Sequence, residues 1–264
     1  YTIDASKIEA LITENTSAIL PVHVYGNICN DEMIEKIAKK HNLKVIYDAA
    51  HAFGETYKGR NVAELGDMSM FSFHATKVFN SVEGGCLAFS DDTKEDVLNS
   101  LKQFGQMAHT ESVPYVGTNA KMSELHAAMG LLNLKYLSTY IEKRKKVVSL
   151  YRDRLSQAQG IRLCKEKAEV IYNYSYFPVL IDADASGTTR DIVCQKLQQN
   201  NIYARKYFYP LTSDLECCRK RNIDAYVPVA KYVSDSILTL PCYSDLELDD
   251  VDKICDIILQ EIQG

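Results

Sequence analysis

The stretch from Ser17 to Asp48 constrains the fold more than any other part of the chain. Ser17 to Val24 is apolar and extended in character, and Tyr25-Gly26-Asn27 breaks it. Asn30 then stands as an N-cap, with Asp31 and Glu32 in the first turn. Ile34, Ile37, Ala38 and His41 recur at helical spacing until Asn42 stops the pattern. Leu43 to Tyr47 is a short run containing β-branched residues and ends at Asp48. Strand, helix and strand within about 30 residues form a βαβ unit, whose parallel strands must be covered on both faces by other elements. The expected class is α/β with a mixed, mostly parallel sheet.

Further strands are expected at Met68 to Phe73 and Cys86 to Ser90, with a turn at Lys58-Gly59-Arg60-Asn61 before them and Glu83-Gly84-Gly85 between them. Asp92 and Glu95 form a capping-box pattern for a helix through Phe104. From Met122 to Leu155 there is no Pro and a single Gly, Gly130, which predicts one or two long helices. Beyond Gly160 the alternation of Tyr172, Tyr174 and Tyr176 suggests a strand. A helix over Thr189 to Gln199, a strand over Ile202 to Phe208 and a last helix striped by Val251, Ile254, Cys255, Ile258 and Leu259 follow. This divides the chain into a large α/β domain over residues 1–120, long linking helices over 121–158 and a small α+β domain over 159–264.

Several function classes are excluded by composition. The net charge is −5, with 30 basic residues scattered among 35 acidic ones, so the basic stripe of a nucleic-acid binder is missing. The longest apolar runs, such as Ala18 to Val22, fall far short of the roughly 20 residues that cross a bilayer. Eight cysteines without a C-x-x-C pair read as reduced thiols in a cytoplasm, and no export signal opens the chain. The six histidines are spread singly, with no H-E-x-x-H or comparable spacing, so no metal site is expected.

In open α/β sheets ligands bind beyond the carboxyl ends of the strands. Asp48 stands at such an end, followed by the small residues Ala49-Ala50, which leave room for a flat ligand; the alternative is that Asp48 only caps a helix starting at Ala49. Lys77 lies just past the Met68 to Phe73 strand, alone among apolar and small residues. Such a lysine has a depressed pKa and attacks carbonyls, as a Schiff-base enzyme requires; the alternative is a lysine whose stem merely covers apolar surface. Taken together, a carboxylate and a lysine at the ends of neighbouring strands suit a pyridine ring bound through its aldehyde. Ser72 and the loop at Glu83-Gly84-Gly85 offer a hydroxyl and flexible backbone for a phosphate.

The order and spacing of Pro21-Val22-His23-Val24-Tyr25-Gly26, Asp48-Ala49-Ala50-His51-Ala52-Phe53-Gly54, Gly66-Asp67, Phe71-Ser72-Phe73-His74-Ala75-Thr76-Lys77 and Glu83-Gly84-Gly85 resemble those of the DegT/DnrJ/StrS sugar aminotransferases. Asn119-Ala120-Lys121-Met122-Ser123-Glu124 and Arg205-Lys206-Tyr207 to Pro210 extend the likeness through the chain. The resemblance implies the aspartate-aminotransferase fold, here a partial large cofactor-binding domain plus the small domain, and pyridoxal phosphate as cofactor. It implies that Lys77 bonds the cofactor, Asp48 partners its pyridine nitrogen, His51 neighbours its phenolic oxygen and Ser72 binds its phosphate. Asn119 would reach the phosphate of the other subunit of a homodimer. Family members often carry Gln where His51 stands, and either side chain can donate a hydrogen bond. The implied reaction moves an amino group from glutamate to a nucleotide-linked keto-sugar, a dTDP- or UDP-4-keto-6-deoxyhexose, for amino-sugar or surface polysaccharide synthesis. Roughly the first hundred residues of family members have no counterpart here, among them a phosphate-binding turn and an aromatic residue that stacks on the ring. The alternative expectation is therefore a shortened relative that keeps fold and dimer surface, binds the cofactor weakly and is catalytically poor.

Overall fold

In a computed structural model, residues 1–221 and 225–263 are described. The chain divides into two compact units, one over Thr2–Leu137 and one over Ser138–Gly264 with Tyr1.

The first unit is built on a four-stranded sheet in which Ala18–Ile19, Lys44–Asp48, Met68–Ser72 and Gly85–Phe89 lie side by side in that order. Strand β1 is Ala18–Ile19, and helix α1, Asp31–His41, crosses to β2, Lys44–Asp48, which pairs parallel to β1. The expected caps are in place. The Asn30 side chain accepts from the Met33 amide, and Asn42 adopts the left-handed conformation that ends the helix. Ile34, Ile37 and Ala38 bury one face of α1, and Val45 and Tyr47 are buried in β2. Burial of a side chain such as Ile34 contributes about 1.5–3 kcal/mol.

Strands β3, Thr56–Tyr57, and β4, Arg60–Asn61, form a hairpin closed by Lys58 and Gly59, both at positive φ, as a type I′ turn demands. Strand β5, Met68–Ser72, adds parallel to β2, with Asp48 opposite Met70. Strand β6, Gly85–Phe89, then adds antiparallel to β5, with Gly85 opposite Ser72. The sheet is thus mixed and mostly parallel. Helix α2 is Glu95–Lys102, and the capping differs from expectation by one residue. Asp91, not Asp92, caps, and a 3-10 turn over Asp92–Lys94 precedes the helix. The helix stops short of Phe104 because that residue is left-handed and gives its amide to the Thr118 carbonyl.

The span expected as one or two helices is a single helix, α3, Glu124–Leu155, and the division between the units falls within it. In the second unit β7, Ile161–Leu163, β9, Phe177–Ile181, and β10, Ile237–Leu240, form an antiparallel sheet in the order β10-β9-β7, while β8 is the short strand Val170–Ile171. Helix α4, Ala183–Ser186, leads to α5, Arg190–Gln199, capped by Thr189. Helices α6, Glu216–Arg219, and α7, Pro228–Ser236, precede β10, and α8, Leu248–Gln263, follows it. Val147, Val148, Tyr151 and Leu155 of α3 pack in one core with Val193, Leu197, Ile254 and Ile258. Within it the Tyr151 and Phe177 rings stack at 4.8 Å, and the Tyr151 hydroxyl donates to the Pro241 carbonyl.

Two strand expectations fail in this unit. Tyr172, Tyr174 and Tyr176 lie between β8 and β9 rather than in a strand, and Tyr174 is at φ 55. Of Ile202 to Phe208, only Arg205 pairs with a neighbour, bridging Thr239, before the chain turns with the Tyr207 amide on the Arg205 carbonyl. β-branched and aromatic content signals fitness for a pleated surface; here those side chains serve a loop.

Candidate active site

Asp48 is held by its main chain before its side chain acts. Its amide donates to the Pro21 carbonyl at 2.9 Å, and its carbonyl accepts from the His23 amide at 3.0 Å, extending the pairing of β2 past the end of β1. Its carboxylate Oδ1 accepts from the Ala50 amide at 3.0 Å, so Asp48 caps a turn, and no helix starts at Ala49. The carboxylate also acts on Lys77. Burial pushes the Lys77 ammonium below the usual lysine range, and the negative charge of Asp48 partly opposes that shift.

Lys77 closes a tight turn after β5, with its amide on the His74 carbonyl at 2.9 Å, and its side chain is half-buried. It lines a cavity of ≈ 1210 Å³ with Ala50, Met70, Ser72, Gly84 and Gly85. Ser72 is the last residue of β5, and its hydroxyl accepts weakly from the His74 amide at 3.4 Å. The glycines are needed here. At Gly84, with φ 154, a Cβ would meet Ser81 Oγ at 2.5 Å, and at Gly85 it would meet the Phe71 carbonyl oxygen at 2.8 Å.

His51 is 8% exposed and accepts at Nδ1 from the Tyr25 amide at 3.0 Å. Burial first, then the charge of Lys77, lowers its pKa to about 4. Lys77 is thus coupled by charge to both Asp48 and His51 at the carboxyl ends of β2 and β5, and of the three it is Lys77 that lines the cavity. Asn119 is exposed, bridges Gln103 through its main chain and accepts from Lys121 Nζ at 2.9 Å. Its neighbours Ala120 and Lys121 line the cavity.

Three features of the site had no usable sequence signal. Lys102 and Lys121 also line the cavity, giving it three lysines against Glu95 and so a field that favours anions; in sequence they are indistinguishable from solvated lysines. The third is the Tyr25 amide, which reaches His51 because Tyr25 is left-handed. A second cavity of ≈ 400 Å³ opens at the opposite strand ends, beside Lys44 and Asp67. Its lysines and arginine are each paired within it, Lys39 with Glu35 and Lys44 with Asp67 at 2.7 Å and Arg60 with Asp31 at 3.1 Å, and it lies away from the strand ends where ligands bind in such sheets. Among the described residues no group of three or more His, Cys, Asp or Glu side chains is placed to hold a metal ion, and no helix is long and apolar enough to cross a membrane.

Residues 1–259 match the model of the DegT/DnrJ/EryC1/StrS aminotransferase family. A dTDP-4-amino-4,6-dideoxy-D-glucose transaminase of Shigella dysenteriae is 40% identical over 252 residues, covering 96% of this chain and 68% of the relative. A transaminase of the same name from Escherichia coli is 43% identical over 265 residues, covering 98% and 70%. Among solved structures, that of DesI in the presence of its TDP-sugar product superposes with a TM-score of 0.93 at 32% identity, covering 99% of this chain and 66% of the other. The chain thus spans about two thirds of the length of the proteins it matches, and the fold expected from the sequence motifs is the one found.

Proposed function

Since the chain belongs to the DegT/DnrJ/EryC1/StrS aminotransferase family, we propose that its full-length protein transfers an amino group from glutamate to C4 of a dTDP-linked 4-keto-6-deoxyhexose, using pyridoxal phosphate in a homodimer. The sugar and nucleotide follow the names of the two transaminase relatives. A cytoplasmic setting belongs to the same reading, on the sequence pattern of eight cysteines without a C-x-x-C pair.

The observation that carries the reading is Lys77, half-buried with lowered basicity, lining one cavity with Ser72 and a glycine pair while Asp48 acts on it electrostatically. These residues fit the cofactor. The backbone at Gly84 and Gly85 is a cradle that a Cβ would fill, Ser72 adds a hydroxyl, and the excess of lysine suits a phosphate. Ala50 presents a small surface to a flat ring. When bound, the pyridine ring supplies a sink for electrons released at the amino-bearing carbon.

Lys77 has two tasks in this scheme. Its depressed pKa raises the fraction of neutral amine, the form that attacks an aldehyde. With the cofactor in place, the same amine would take and return the proton at the reacting carbon. The Asp48 carboxylate would keep a proton on the ring nitrogen, and its two main-chain bonds to the Pro21–His23 segment hold the residue in position. The deciding experiment incubates full-length protein, pyridoxal phosphate and glutamate with the dTDP-, UDP- and GDP-linked 4-keto-6-deoxyhexoses and follows the amino-sugar product by mass spectrometry. Preferential amination of the dTDP sugar is expected. Failure to aminate any of them overturns the reading, and preference for UDP or GDP overturns its nucleotide.

A further inference from the structure

Tyr172 and Tyr174, whose alternation in the sequence suggests a strand, lie instead in a loop, and both line a cavity of ≈ 370 Å³ in the second unit. Lys145 of α3, Glu166, Lys167 and the exposed Ile171 line it as well. None of these residues belongs to the cavity that Lys77 lines. The volume falls within the range of small-ligand sites, about 300–1,000 Å³.

Local bonds set the aromatic wall. The Tyr172 hydroxyl accepts from the Lys167 amide at 2.9 Å, which ties one ring to the backbone of the segment that carries a lysine. The Lys167 carbonyl in turn accepts from the Val170 amide at 3.2 Å. The Tyr172 and Tyr174 rings stand 6.3 Å apart at 41°, tilted rather than stacked face to face.

The charge of the cavity is positive. Among its lining residues Glu166 is the one carboxylate, and it pairs with Arg152 at 2.9 Å, so the two lysines are in excess. Arg144, the residue before Lys145, is 8% exposed. It donates to the carbonyls of Tyr174 and Ser175 at 3.4 Å and of Cys242 at 2.6 Å. Its charge is met by dipoles rather than by a carboxylate, and a buried charge is screened less than an exposed one. The field at Tyr174 therefore favours an anion.

We propose that this cavity is a second ligand site that takes a nucleoside mono- or diphosphate, with the base against Tyr172 and Tyr174 and the phosphate on Lys145 and Lys167. Lysine amines hold phosphate oxygens as point charges, and an aromatic side chain accepts any base because every base has a π-face. Inorganic phosphate would use the lysines and leave the rings, and a neutral aromatic would do the reverse. Ile171, next to Tyr172, adds apolar surface that the base can cover and a phosphate cannot. The site does not depend on the proposed amination.

The test uses full-length protein with ADP as the probe. Calorimetric titration should show saturable binding with a Kd below about 1 mM. Photolabelling with azido-ADP should mark the peptide that contains Lys167, Tyr172 and Tyr174. The double variant Lys145→Gln, Lys167→Gln should weaken ADP binding by at least about tenfold, the scale of one charge-assisted hydrogen bond. Tyr172→Ala should weaken it about fivefold or more, while Tyr172→Phe keeps the ring and should not. Both lysines are exposed, so the double variant should keep its circular dichroism and its amination of the keto-sugar. No saturable binding, label confined to other peptides, or wild-type affinity in the double variant overturns the site. Inorganic pyrophosphate binding as tightly as ADP overturns the nucleotide assignment. Joint loss of ADP binding and amination in a folded double variant would show one shared site and overturn the second. Absence of amination in the wild type, with ADP still bound at Tyr172, defeats the proposed function and supports this site.

Discussion

The Asp48 carboxylate favours the protonated form of Lys77, against the burial of that lysine. Burial lowers the pKa of Lys77, the carboxylate raises it, and burial prevails. The amine is therefore more nucleophilic at neutral pH than a surface lysine, while a counter-charge is still at hand when it becomes protonated.

The first prediction concerns Lys77 itself. Lys77→Ala should abolish turnover and leave no cofactor attached to the protein after borohydride reduction, whereas the wild type should carry the label on the peptide containing Lys77. The side chain is half-buried and its charge is disfavoured by that burial, so the variant should fold normally by circular dichroism. A label on any other lysine would reassign the site.

Asp48→Asn separates the two roles of that residue. The amide oxygen of asparagine can still accept from the Ala50 N–H, and the main-chain bonds to Pro21 and His23 do not involve the side chain. Fold and stability should survive, while the rate of the glutamate half-reaction should fall on the order of a thousandfold through loss of the charge at the ring nitrogen. Removing the carboxylate also removes the influence that raises the pKa of Lys77, so cofactor attachment should shift to lower pH. A half-reaction rate near that of the wild type would reduce Asp48 to a cap.

How far these features were legible in sequence depended on what kind of physics placed them. Helix α1 was legible because Asn30, the apolar spacing and Asn42 are local signals that the tertiary structure did not override. Strand β9 was not, because all five of its positions are buried, as are all four of β10; without alternation, periodicity cannot separate strand from buried helix. The opposite error arose at Ile202 to Phe208, where strand-like side chains surround a single bridging residue, Arg205.

The candidate site divides in the same way. Asp48 and Lys77 could be read because each ends or follows a recognisable strand, and that topology directs both to one crevice. The Tyr25 amide could not, since it depends on a positive φ at a non-glycine residue rather than on side-chain chemistry. Lys102 and Lys121 reach the cavity from α2 and from the segment before α3, and that convergence is a tertiary fact.

Gly85 should tolerate no side chain. A Cβ there would sit 2.8 Å from the Phe71 carbonyl oxygen, on the strand that ends in Ser72. Because backbone rather than a mobile side chain is in the way, Gly85→Ala should move β6 from β5, with a stability loss of about 1–3 kcal/mol. Displacing Ser72 should also weaken pyridoxal phosphate binding by about tenfold or more, equivalent to at least about 1.4 kcal/mol. Urea unfolding and equilibrium binding of the cofactor check the two effects separately, and wild-type values in both would show that the ladder yields without cost.

His51 should make stability depend on pH in one direction. Its folded-state pKa is lowered from 6.5 to about 4, so between those values the unfolded chain binds a proton that the native protein does not. Stability therefore rises with pH across this window. The contribution is fully present above about pH 6.5, falls as the pH drops towards 4 and reaches its limit there, a loss of about 3 kcal/mol at most for a shift of this size. Carboxylates add their own loss below this window; Glu9, for example, is pulled down from 4.5 to about 2 by its bonds to His41 and Lys40, so its contribution falls away between those values. The informative measurement is the difference between wild type and His51→Gln in urea unfolding at about pH 7, 6 and 5. The glutamine variant lacks the titrating ring, so the wild type should lose stability more steeply, and the two curves should diverge progressively below about pH 6.5. Parallel curves would mean that the ring is protonated in the folded protein with little penalty, which the Tyr25 amide at 3.0 Å from Nδ1 does not allow.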